Sequence, residues 1–124
     1  MSERETVAEL DWRLEGDVLV IALSGKVDLD NADEVRKGIR AIQKEAKGAR
    51  FAAMDLSGLT YLDSAGLGTF VGLKLDMRGY DRFMVYGLKG QVLELFKNIR
   101  LHKILDVKQN WDEVLSSLER TGKA

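Results

Sequence analysis

The chain has 124 residues, of which 45% are hydrophobic and 31% charged, a composition that suits one folded domain around one hydrophobic core. Its 19 Lys and Arg against 20 Asp and Glu leave a formal net charge of −1, so electrostatics favour neither nucleic acid nor an anionic membrane as a partner. Cysteine is absent and His102 is the single histidine, which excludes disulfides, thiolate nucleophiles and zinc–cysteine sites. We therefore expect no metal and no cofactor.

The amino-terminal residues 1–9 are mostly polar and lack the apolar stretch of a signal peptide. No run of about 18 apolar residues occurs that could insert into a membrane. These patterns predict a cytoplasmic protein with no membrane insertion. We expect a single domain with its core at about 10–118 and flexible ends at 1–9 and 119–124.

The first predicted elements are two strands, over residues 9–14 and 17–24, joined at Gly16, where glycine permits the positive φ of a tight hairpin. The second run is almost wholly apolar, as expected of a strand covered on both faces. An amphipathic helix follows, with an apolar face formed by Val35, Ile39, Ile42 and Ala46. Asn31 and Glu34 have the spacing of a capping box at its start.

The second half of the chain continues the alternation of strands and helices. Strands are predicted at 51–56, 83–86 and 105–107, with the apolar segment 61–78 forming a helix between the first two. A third helix carries an apolar stripe of Val92, Leu95, Phe96 and Ile99, and a closing helix is capped by Asn110 with Glu113. The order ββαβαβαβα predicts an α/β fold in which crossover helices pack on a mixed β-sheet.

The start of the second helix is the most informative part of the chain. Asp63 or Ser64 is a natural N-cap. Gly66 and Gly68 follow in the first turn, although each glycine costs a helix interior about 0.5–1 kcal/mol relative to alanine. Something must therefore approach this backbone closely, either a packed neighbour or the surface of another protein.

The same helix carries two apolar stripes. One consists of Leu67, Phe70 and Val71, and the other of Gly66, Phe70, Leu73 and Met77. One stripe must meet the sheet. The other is either covered by a neighbouring helix or offered to another protein.

Two motifs in this sequence resemble those of a known family. The run DSAGLG at 63–68, preceded by MDLSGL at 54–59, resembles the signature of the STAS family of anti-sigma-factor antagonists. The run LSGKVDL at 23–29 resembles the other recurring loop of that family, with its Gly-x-x-Asp pattern. The predicted order of elements also fits, so the resemblance extends over roughly residues 10–118.

The resemblance implies a phosphorylation switch at Ser64. In such proteins a partner that is both anti-sigma factor and serine protein kinase modifies this serine, and a serine phosphatase reverses the reaction. The unphosphorylated form binds the partner and frees the target sigma factor. Ala65 stands where some relatives carry a second hydroxyl group, which leaves Ser64 as the single candidate. The resemblance implies a partner-binding surface that contains Asp28, Leu29, Asn31, Asp63, Ser64, Ala65, Gly66, Leu67 and Gly68.

Other readings of these residues remain open. Ser64 and Asp63 can be simple helix caps, Asp28 a turn residue, and the two glycines either packing or contact positions. The chain can also be a STAS module of a transport or lipid-trafficking complex, or a partner-switch regulator of a non-transcriptional process such as secretion. A third reading is a hydrolase that uses Ser64 as nucleophile, but the chain lacks both a suitable histidine and the Gly-x-Ser-x-Gly motif. We predict a non-enzyme that is a monomer or weak dimer when free.

Overall fold

The computed structural model describes residues 8–119, which form six strands and four α-helices. These elements are β1 (Glu9–Glu15), β2 (Val18–Val27), α1 (Ala32–Glu45), β3 (Phe51–Asp55), β4 (Leu59–Leu62), α2 (Ser64–Asp76), β5 (Arg82–Tyr86), α3 (Gly90–Asn98), β6 (Asp106–Lys108) and α4 (Trp111–Leu118). The predicted flexible ends lie outside the described residues, except that Ala8 precedes β1, Glu9 begins β1 and Glu119 follows α4.

The predicted mixed α/β architecture is confirmed, with one strand more than expected. The sheet has the order β1-β2-β3-β5-β6, in which β1 and β2 are antiparallel and the other pairs are parallel. The hairpin between β1 and β2 turns at Gly16 with a φ of 59°, as predicted. Strand β4 was not predicted and pairs with β2 alone.

Strand β2 is long enough to pair with two parallel strands in succession. Residues 18–22 lie beside β3, and the last part, Gly25 to Val27, lies beside β4. In the second pairing Val27 is opposite Leu62. The loop after β2 is thereby brought to the start of α2, which follows β4 in the chain.

The core is divided by the sheet into two parts. The larger part lies under α1, α2 and α3, where the rings of Phe70 and Phe96 meet edge to face at 5.6 Å between centroids. The smaller part lies under α4 and includes Val18, Val20 and Met84. Residues of β2 alternate between the two parts, which confirms that this strand is covered on both faces.

Helix α2 buries one of its two predicted stripes completely. Gly66, Phe70, Leu73 and Met77 are all buried. In the other stripe Leu67 is also buried, whereas Val71 is 47% exposed. Leu75, one turn further along, is 60% exposed. The stripe that contains Gly66, Phe70, Leu73 and Met77 is therefore the side of α2 that packs into the core. The outer side of the helix is partly apolar.

A bidentate ion pair joins α1 to α2. Arg36 donates from Nε to Asp76 Oδ2 at 2.7 Å and from Nη2 to Asp76 Oδ1 at 2.9 Å. Gly72 makes room for the guanidinium group, because a Cβ there would lie 2.6 Å from Arg36 Cζ. Part of the polar face of this amphipathic helix is thus engaged within the domain.

Asp76→Asn is expected to lower the free energy of unfolding by about 2 kcal/mol at pH 7, because it removes charge-assisted hydrogen bonds from a largely buried group. The hydrogen bond from Arg36 lowers the pKa of the Asp76 carboxyl from its ordinary value of 3.8. A lowered folded pKa stabilises the fold fully above the unfolded value and loses that contribution as the pH falls through the folded value. The difference in the free energy of unfolding between Asp76→Asn and the parent protein should therefore vanish in acid.

Urea unfolding of both proteins at pH 7 and at about pH 2 measures this difference. Asp33→Asn is the matched control, because the side chain of Asp33 is 82% exposed in its pair with Lys37 and contributes little. Equal stability of Asp76→Asn and the parent at pH 7 would contradict the assignment.

Candidate functional site

The site lies where the loop after β2 meets the first turn of α2. The parallel pairing of β2 with β4 places the two chain segments side by side, and the backbone N–H of Asp63 donates to the carbonyl oxygen of Val27 at 3.3 Å. Residues separated by more than 30 positions in the sequence therefore form one surface.

The Asp63 carboxylate holds this junction together. Its Oδ1 accepts a hydrogen bond from the backbone N–H of Gly66 at 3.0 Å, which makes Asp63 the N-cap of α2. Its Oδ2 accepts from the backbone N–H of Leu29 at 3.1 Å. Of the two caps that the sequence allowed, Asp63 is the one used, and both of its carboxylate oxygens are engaged.

Ser64 is left free of any capping role. It is the first residue of α2, its side chain is exposed, and its hydroxyl makes no hydrogen bond to the described residues 8–119. The positive end of the helix dipole lies at this position. The hydroxyl is thus accessible and lies in an environment that favours an added negative charge.

The predicted capping box of Asn31 and Glu34 is wrong. Asn31 makes no side-chain cap to α1; its Oδ1 accepts from the backbone N–H of Asp28 at 2.9 Å, and its Nδ2 donates to the carbonyl oxygen of Lys26 at 2.8 Å. The side chain faces back toward the loop because it satisfies two backbone groups there instead of one in the helix. Asn31 therefore also holds the loop, through backbone groups other than the one that Asp63 binds.

The Asp28 carboxylate stabilises a turn with one of its oxygens and leaves the other oxygen without a hydrogen bond in the described residues. Its Oδ1 accepts from the backbone N–H of Asp30 at 3.0 Å, which closes a short turn. Its Oδ2 has no hydrogen bond within the described part of the chain. Leu29 follows in this loop and is 78% exposed.

The two glycines of the first turn have different roles. A Cβ at Gly66 would lie 2.5 Å from Leu62 Cδ1 and 2.7 Å from the carbonyl oxygen of Val27, so this glycine permits close packing. A Cβ at Gly68 would have no neighbour within 4 Å. Gly66 and Leu67, both predicted to contact a partner, are buried, whereas Gly68 is exposed and Ala65 is partly exposed.

A shallow groove of about 250 Å³ runs between α1 and α2 next to Ser64. Its lining residues are Leu29, Ala32, Asp33, Arg36, Ala65, Gly68 and Thr69. Sequence analysis missed four of these: Ala32, Asp33, Arg36 and Thr69. Asp33 and Arg36 lie one turn apart in the predicted first helix, but nothing in the sequence showed that this side of the helix faces α2.

The described residues contain no group of three or more His, Asp or Glu side chains that could hold a metal ion. Within the same residues, no helix is both long and apolar enough to cross a membrane.

Comparison with known proteins assigns the family. A family profile described as the STAS domain matches residues 9–114. The chain belongs to the STAS domain family. In this STAS domain the two sequence motifs meet in space, because the run at 23–29 ends at Leu29, whose backbone N–H donates to Asp63, the first residue of the run at 63–68.

The relatives of this STAS domain carry regulatory names. The anti-sigma-B factor antagonist of Listeria monocytogenes is 29% identical over 93 residues, which cover 74% of this chain and 80% of that protein. The protein of the same name from Listeria innocua matches equally well.

Solved structures confirm the fold. An anti-sigma factor antagonist from Mycobacterium paratuberculosis superposes with a TM-score of 0.80 at 18% identity, covering 92% of this chain and 96% of that one. The unphosphorylated anti-sigma factor antagonist SpoIIAA gives a TM-score of 0.67 at 16% identity, with 90% and 96% coverage.

Proposed function

We propose that this STAS domain is a phosphorylation-regulated anti-sigma factor antagonist. Its unphosphorylated form binds an anti-sigma factor that is also a serine protein kinase, and so releases the target of that partner. Phosphorylation of Ser64 abolishes the binding, and a serine phosphatase restores it. The domain itself performs no catalysis and is the substrate of both enzymes in the cytoplasm.

The observation that carries the proposal is the state of the Ser64 hydroxyl. It is exposed, unbonded to the described residues and located at a helix N-terminus that Asp63 already caps. A kinase can therefore reach it without opening the fold. A phosphate would add about −1.5 to −2 charges at pH 7, which the helix N-terminus tolerates.

The same phosphate would change the surface on which a partner must dock. Asp63 directly precedes Ser64 and carries a carboxylate. Asp28, a second acidic residue, lies in the loop that Asp63 holds. A partner would have to cover several negative charges at once. An uncompensated buried charge costs several kcal/mol, and each 1.4 kcal/mol is tenfold in affinity. The switch thus needs no movement of the domain.

A pull-down from cell extract with wild-type, Ser64→Ala and Ser64→Asp baits tests the proposal. We expect a kinase-like protein to bind the wild-type and Ser64→Ala baits but not the Ser64→Asp bait. We also expect wild-type bait recovered from cells to carry phosphate on Ser64. Ser116→Asp is the matched control, since Ser116 is exposed on α4, which packs on the opposite face of the sheet. This control should retain the partner.

Two outcomes would contradict the proposal. The first is recovery of the same partner by all four baits, which would show that Ser64 is not the switch. The second is recovery of membrane transport subunits alone, which would favour the STAS module of a transport complex.

A further inference from the structure

Leu29 is the most exposed large hydrophobic residue of the range 8–119, at 78%. It lies in the loop between β2 and α1, and its backbone is hydrogen-bonded to Asp63, the neighbour of Ser64. A single exposed leucine on a loosely held loop is common and needs no explanation. This loop is instead held by several hydrogen bonds, and that needs an explanation.

Side-chain hydrogen bonds of Asp63, Asp28 and Asn31 hold the loop. Asp63 Oδ2 accepts from the Leu29 N–H, and Asp28 Oδ1 accepts from the Asp30 N–H. Asn31 adds its bonds to the backbone of Asp28 and Lys26. Ordering the backbone costs about 1–2 kcal/mol per residue in conformational entropy. The domain therefore orders this loop even though its leucine remains in water.

The surroundings of Leu29 are suited to a protein contact. Leu29 lines the groove between α1 and α2 together with Ala65 and Gly68, which lie close to Ser64 in the chain. The rest of the lining combines small residues with the charged side chains of Asp33 and Arg36, so Leu29 is the one large apolar side chain of this groove. Because hydrogen bonds already hold its backbone, burying this side chain against a partner would require little further ordering of the loop.

We propose that Leu29 is the apolar anchor that enters a hydrophobic pocket of the partner, and that Asp63 is the positioning residue that presents it. The inference rests on the proposed function in taking the partner to be the anti-sigma factor that docks over Ser64. It assigns Asp63 a role through its contact with the loop, in addition to the cap of α2.

Asp63→Asn separates the two roles of the carboxylate. The amide keeps one oxygen to accept from the Gly66 N–H, but its NH₂ group faces the Leu29 N–H, a second donor. Hydrogen exchange measured by NMR should accelerate at least about tenfold at the Leu29 amide, while the Gly66 amide changes little. Unchanged exchange at the Leu29 amide would overturn the positioning role of Asp63. This measurement is made on the domain alone and needs no partner.

Leu29→Ser tests the anchor in the Ser64→Ala background, which keeps the switch in its binding form. We expect about a thirtyfold weaker affinity for the kinase-like partner recovered with the Ser64→Ala bait, as for losing the burial of one leucine side chain. Leu29→Met should retain the affinity. Leu115→Ser is the matched control, because Leu115 is an exposed leucine on α4.

A double-mutant cycle decides whether Asp63 acts through Leu29. Asp63→Asn should weaken binding about tenfold alone but have little further effect when combined with Leu29→Ser. Additive effects would overturn the coupling, and full affinity of Leu29→Ser would overturn the anchor while leaving the proposed function intact. Failure of every bait to recover such a partner would instead overturn the proposed function, and the anchor with it.

Discussion

Gly66→Ala is expected to lower the free energy of unfolding by about 2 kcal/mol, the usual cost of forcing an extra methyl group into a packed site. The new Cβ would lie 2.7 Å from the carbonyl oxygen of Val27 and 2.5 Å from Leu62 Cδ1. Leu62 is only 1% exposed and has little room to turn away, and the carbonyl belongs to β2. The strand and the helix must therefore separate.

Gly68→Ala, two residues further along the same helix, should have the opposite effect. Its Cβ would meet nothing within 4 Å, so the substitution gains about 0.5–1 kcal/mol from the lower backbone entropy of the unfolded chain. Urea unfolding of the two variants and the parent measures both changes. Equal shifts in the same direction would show that Gly66 does not serve the contact with Val27 and Leu62.

Phosphoserine at position 64 is expected to weaken partner binding about a thousandfold, which corresponds to about 4 kcal/mol. The phosphate places about two negative charges beside Asp63, where the partner must exclude water. The melting temperature should hardly change, because the modified hydroxyl has no structural bond to lose within the described residues and the helix N-terminus accepts the charge.

Site-specific incorporation of phosphoserine, followed by calorimetric titration with the purified partner and a thermal melt, provides both values. A protein with phosphoserine at position 116 is the matched control and should bind like the unmodified form. A large fall in melting temperature together with weaker binding would contradict the surface mechanism, since the affinity loss would then arise from unfolding.

Most of the fold could be predicted from the sequence, because hydrophobic periodicity reflects burial on one or two faces. The apolar run of β2 and the stripe of α1 both lie where the pattern placed them. Strand β4 was missed because its four residues are too few to show a period and adjoin the apolar helix α2. Only the parallel pairing with the last part of β2 makes it a strand.

The error at Asn31 has a different cause. Its spacing from Glu34 satisfies the local rule for a capping box, and the same rule holds at Asn110, which caps α4 through the Glu113 N–H at 2.9 Å. At Asn31 the backbone N–H of Asp28 and the carbonyl oxygen of Lys26, near the end of β2, bind the side chain in place of the helix. A rule based on four consecutive residues does not include that competition.

The sequence by itself determined the fold class, the order of all elements except β4 and the position of Ser64 as the candidate switch, because these depend on local patterns and motifs. Only the tertiary structure decided that Asp63, and not Ser64, caps α2 and that its second oxygen holds Leu29. It also decided which glycine is required for packing. The contacts of Asp63 with Leu29 and of Gly66 with Val27 join segments more than 30 residues apart, which the register of β2 and β4 brings together and no local pattern encodes.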